Sequence, residues 1–76
     1  MYPFKFKNYN IEFAKNQPEY LPLPAHISED GTVTTCWELN DHDIENLMET
    51  KKLWLQILTF NNPLQPVMIS VEKPEL

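Results

Sequence analysis

The chain has no arginine, one glycine and one cysteine among its 76 residues. Without arginine it lacks the planar fork that reads phosphate, carboxylate and guanine edges in bidentate fashion. With Gly31 as its only glycine, a glycine-rich phosphate loop is excluded. Cys36 by itself cannot close an intramolecular disulfide. His26 and His42 lie ten and six residues from it, which matches no zinc motif. No apolar run approaches the ~18–20 residues that span a bilayer, and the opening Met-Tyr-Pro-Phe-Lys-Phe-Lys lacks a signal-peptide apolar region. A protein of the reducing cytoplasm, with no membrane partner, is the expectation.

Basic charge is also scarce where it would matter. The net charge is −5. Residues 1–18 carry +2, residues 19–49 hold eight acids and no lysine (−8), and residues 50–76 carry +1. Duplex affinity comes largely from Lys and Arg contacts to phosphate, so a duplex nucleic-acid partner is not expected.

What is present is apolar and aromatic. The hydrophobic fraction is 42%, with two tryptophans, three tyrosines and four phenylalanines, the composition of a folded chain rather than a disordered one. At this length a single small domain buries only about 60% of the surface its unfolded chain exposes, so the core is thin.

The pattern suggests an α+β fold: an extended N-terminal arm over residues 1–17, then a compact core over 18–76 with one strand, one short helix and a C-terminal β-hairpin. In the arm, Tyr2, Phe4 and Phe6 alternate with Lys5 and Lys7, the period of an extended segment with one sticky face. Pro18, Pro22 and Pro24 exclude a helix and push Leu21 and Leu23 into extended geometry, either as core lining or as a proline-rich docking peptide. Residues 28–31 read as a turn with Gly31 left-handed. Residues 32–39 (Thr-Val-Thr-Thr-Cys-Trp-Glu-Leu) are the clearest strand by propensity. Asn40 reads as an N-cap, and Asp41 and Asp43 suit the positive end of a helix over residues 41–50, with Ile44, Leu47 and Met48 as its apolar stripe.

Residues 53–71 carry the largest apolar load. Two runs, Leu-Trp-Leu-Gln-Ile-Leu-Thr-Phe and Val-Met-Ile-Ser-Val, flank Asn-Asn-Pro-Leu-Gln-Pro, the pattern of a hairpin with an irregular loop. Continuing the helix through the first run would make it apolar nearly all round, so a strand is favoured. In that strand Leu53, Leu55 and Ile57 point one way, and Trp54, Leu58 and Phe60 the other. One short helix covers one face, and the second needs the arm, another copy or a target. At about 25 cal/mol per Å², leaving it wet would forfeit a few kcal/mol, comparable to the stability of a small domain. Self-association or binding of a host protein is the expectation.

Chemistry-bearing constellations are sparse. Cys36 with His26 and an acid is formally a nucleophile set, but a cysteine inside a strand beside Trp37 is more often a buried inert thiol. No catalytic residue, metal ligand or cofactor is assigned. The better lead is aromatic. Tyr20, Trp37, Trp54 and Phe60 offer faces for a planar ligand such as a nucleotide, with Lys51 and Lys52 for its phosphates; stacking contributes ~1–3 kcal/mol per base. For any one of these rings a place in the core or a subunit interface is the commoner role. Tyr20, Trp37, Trp54, Leu58 and Phe60 are the candidate binding residues.

Three segments together resemble a family of short proteins encoded by tailed bacteriophages and prophages: Pro18-Glu19-Tyr20-Leu21-Pro22-Leu23-Pro24-Ala25-His26, the stretch from Gly31 to Leu39 with its Val-Thr-Thr-Cys-Trp centre, and residues 53–66. That family usually carries a basic helix after the tryptophan strand and a glycine near position 51. Here the helix is acidic, through Asp41, Asp43 and Glu45, and position 51 is Lys. The resemblance implies a phage origin and action inside the host bacterial cell, and it brings no activity with it.

Overall fold

The computed structural model describes residues 1–16 and 21–76. Among these it is a small α+β fold of five short strands in two antiparallel sheets and one helix. In chain order they are β1 (Tyr2–Pro3), β2 (Ile11–Phe13), β3 (Leu23–Ile27), β4 (Val33–Thr34), β5 (Trp37–Glu38) and α1 (Asp41–Thr50). One sheet runs β2-β3-β4 and the other pairs β1 with β5. No helix among the described residues is long and apolar enough to cross a membrane.

The expected N-terminal arm is two strands. A turn at Lys7 and Asn8 reverses the chain, with the Tyr9 N–H donating to the Phe6 carbonyl at 3.2 Å. Phe6, placed on the arm's sticky face with Tyr2 and Phe4, is only 7% exposed while those two remain open to solvent. Beyond the turn, Asn10 substitutes its side chain for a ladder rung. Its Nδ2 donates to the Ile27 carbonyl at 3.1 Å and its Oδ1 accepts from the Ile27 N–H at 2.9 Å, while its backbone N–H donates to Ala25 at 2.8 Å. Ala25, in the central strand, is fully buried. Pro24 sits opposite Glu12 in β3. Because β4 pairs only with His26 and Ile27, Pro24 has an open flank, where a missing N–H removes no rung.

The single strand expected over residues 32–39 changes sheets. Its first part, β4, closes on β3 through a loop with Gly31 at φ 87° as expected. Its second part, β5, pairs with β1. The bend falls at Thr35 and Cys36, where the Cys36 carbonyl accepts from the Phe4 N–H at 2.8 Å and Trp37 Nε1 donates to Thr35 Oγ1 at 3.1 Å. Cys36 is thus half-buried at a sheet switch, not inside a strand. Two strands this short cannot bury both faces of an alternating sequence, so Val33 and Trp37 stay exposed.

The helix begins where its caps dictate. Asn40 Oδ1 accepts from the Asp43 N–H at 2.8 Å, and Asp43 Oδ2 accepts from the Asn40 N–H at 3.0 Å, a reciprocal capping box. The N-terminal ammonium of Met1 adds an ion pair to the same carboxylate at 2.7 Å. None of the helix residues is buried: Ile44 and Met48 of the expected apolar stripe face solvent. The helix stops at a left-handed Lys51 (φ 56°) whose N–H donates to the Leu47 carbonyl, a conformation that glycine adopts more cheaply.

After Lys51 no described residue is in a helix or strand, so the C-terminal hairpin is corrected to an irregular loop. Its turn is nevertheless a hairpin turn. Phe60 and Asn61 both have positive φ (54° and 66°), and the Asn62 N–H donates to the Thr59 carbonyl at 3.0 Å, the two-residue geometry that matches strand twist. Pro66 limits its propagation. Extending the pairing from Thr59 and Asn62 would set Pro63 at a pair that exchanges no bonds, but Leu55 opposite Pro66, at a pair that must exchange ladder bonds.

Candidate binding surface

The loop over residues 52–72 is tied down at both ends. It leaves the helix at the Lys51 cap and returns where Lys73 Nζ donates to Asn8 Oδ1 at 3.0 Å. A stretch of this length without secondary structure is uncommon in a compact domain, where it is usually either a functional loop or a linker segment. Most of its large side chains face water: Trp54 is 85% exposed, Leu58 and Phe60 76% each, and Leu53, Leu55, Ile57, Leu64, Val67, Met68 and Ile69 are all exposed.

Whole-molecule dimensions carry the same signal. The accessible surface is 7283 Å², against about 4,900 Å² expected for a folded monomer of this mass. The radius of gyration is 13.9 Å, against about 11 Å for a compact chain of this length. An excess of roughly 2,400 Å² over the whole chain is larger than the ~800 Å² each partner contributes to a standard interface. Soluble monomers rarely leave a contiguous apolar patch of more than a few hundred Å² uncovered.

The candidate residues fall in different places. Leu58 lines an open cleft of about 250 Å³ between the two limbs of the loop, with Ile57, Leu64 and Val67. Trp54 and Phe60 lie in the same loop but are not part of that lining. Trp37 belongs to the β1–β5 sheet and is held by Thr35. Tyr20 lies outside the described residues. Compared with protein-family models, curated proteins and solved structures, the chain matches none.

A second cleft, of about 540 Å³, was not anticipated from sequence. His26, Ser28, Asp30 and Thr34 from the β3–β4 hairpin face Pro74, Glu75 and Leu76 of the returning tail. His26 Nδ1 is buried there without a hydrogen-bond partner. Across the hairpin loop, Asp30 accepts from the Ser28 hydroxyl and from the Thr32 N–H; those bonds, the hydroxyl first, hold its carboxyl below the usual carboxylate range. Cys36 is not part of this lining, so the formal pairing of Cys36 with His26 has no shared pocket here. Among the described residues no three His, Cys, Asp or Glu side chains are placed to share a metal ion. No sequence signal would have found this cleft, because it depends on the tail coming back to the hairpin.

Proposed function

We propose that this chain is a non-enzymatic, phage-encoded binding protein that acts in the infected cell by stoichiometric capture, as an antagonist of host defence. The observation that carries the binding reading is the apolar loop over residues 53–71, whose large side chains stand exposed one after another, from Leu53 and Trp54 to Ile69, where soluble monomers rarely leave a contiguous apolar patch uncovered. The phage setting rests on the resemblance in residues 18–26, 31–39 and 53–66. A short chain in which no nucleophile and base are assembled among the described residues acts most simply by occupying its target. The candidate captured species are a host protein, taken up on the apolar loop, and a nucleotide signal stacked on Trp54 and Phe60, with Lys51 and Lys52 near its phosphates. The test is native mass spectrometry of the protein purified from infected cells, which reports copy number, bound nucleotide and bound host protein together. Capture predicts a stoichiometric extra mass that is lost in a Trp54→Ala/Leu58→Ala double variant. Recovery of the chain only within virus particles would favour a minor structural or assembly role instead.

A further inference from the structure

We propose that two copies of this chain pair antiparallel along residues 53–59, with Gln56 of each copy on the two-fold axis. The run Leu-Trp-Leu-Gln-Ile-Leu-Thr is self-complementary about its centre. Reversed against itself it sets Leu55 opposite Ile57 of the second copy, Trp54 opposite Leu58, and Gln56 opposite Gln56. Shifting the register by one or two residues in either direction sets Gln56 against Leu55, Ile57, Trp54 or Leu58, and so leaves a polar amide facing an apolar side chain. A single polar residue that can pair only with itself fixes a register in this way.

Three further observations select this run and a second copy as its occupant. Between Leu53 and Phe60 there is neither a charge nor a proline, the devices by which proteins protect exposed edges from strand addition. The returning limb carries Pro63 and Pro66 and cannot offer a continuous ladder. The backbone of residues 53–58 lies in no strand or helix, so its donors and acceptors are open to a partner strand. Charge placement is also compatible. Lys52 would lie opposite Phe60 of the second copy, ammonium against ring. The two Lys52 residues would stand about 27 Å apart at strand spacing, well beyond the Debye length of ~8 Å in physiological salt.

This inference rests on reading the loop as a binding surface, and its test needs no captured host molecule, so failure of the capture reading and failure of the pairing are distinguishable. Gln56 is exposed, which lets it be charged without touching the fold. The full chain at low micromolar concentration is expected to run as a dimer, or a multiple of one, by native mass spectrometry. Gln56→Lys and Gln56→Glu, each alone, set like charges against each other on the axis and should raise the dissociation constant at least tenfold. Mixing the two variants should restore a heterodimer. In a Cys36→Ser background, Gln56→Cys should oxidise in air to a covalent dimer faster than Met68→Cys, at another exposed position of the same loop. A monomeric wild type, single variants as associated as wild type, a mixture no tighter than its components, or equal oxidation at positions 56 and 68 would each overturn the pairing.

Discussion

Phenylalanine truncations provide an internal scale for where this molecule keeps its stability. Phe6 is 7% exposed, Phe4 44% and Phe60 76%, so one side-chain type samples core, rim and loop. Truncating a buried phenylalanine to alanine costs about 3–5 kcal/mol from lost transfer energy and the cavity left behind. Scaled by the fraction of the ring out of water, Phe4→Ala should cost about half of that and Phe60→Ala about 1 kcal/mol or less. A chain of this length has about 4–11 kcal/mol in total. Phe6→Ala should therefore leave it marginal or unfolded, whereas the other two variants stay folded. The assay is urea denaturation followed by far-ultraviolet circular dichroism, with all variants in the Gln56→Lys background so that association does not contribute. Equal losses at Phe6 and Phe60 would refute the assignment of the core to the junction of the N-terminal strands.

Other consequences follow from single contacts. Asn40→Ala removes the side-chain half of the capping box and should cost about 1 kcal/mol by the same denaturation assay. Lys51→Gly relieves a left-handed cap and should raise stability by up to about 1 kcal/mol, seen as a higher urea midpoint with unchanged slope. Asp30 and Asp43 both have carboxyls held below the usual range, Asp30 by the Ser28 hydroxyl first and Asp43 by the Met1 ammonium first. Depressed folded-state values give stability that is present above the unfolded-chain value near pH ~4 and is lost as pH falls through the folded one. An acid titration should therefore show wild type and an Asp30→Asn/Asp43→Asn variant differing above about pH 4 and converging below it; a gap that persisted at low pH would contradict the linkage.

Local chemistry was legible in the sequence, and long-range pairing was not. The Asn40 N-cap, the helix over residues 41–50 and the left-handed Gly31 are decided within a few residues, and each appears as read; the return bond from Asp43 is an addition. The arm is extended as its alternation implies, but alternation over Tyr2, Phe4 and Phe6 does not reveal a turn at Lys7 and Asn8, or that β1 takes β5 as its partner. The uniform β propensity of residues 32–39 conceals the switch of sheets at Cys36, which is fixed by the distant N–H of Phe4. In the C-terminal loop the apolar pattern is that of a hairpin and the turn is of hairpin type, but Pro66 falls where a ladder bond is needed. Of the candidate binding residues, Trp54, Leu58 and Phe60 share one exposed loop, and Trp37 lies on another element.

Concentration-dependent amide hydrogen exchange across residues 53–71 tests the central claim most directly, because it reports whether this loop is a covered surface or a bare one. Alternate amides of residues 53–59, those facing the second strand, should be protected at high protein concentration and lose protection on dilution, while those around Leu64 and Gln65, between the prolines, exchange fast throughout. Fast exchange across residues 53–59 at every concentration would contradict that claim.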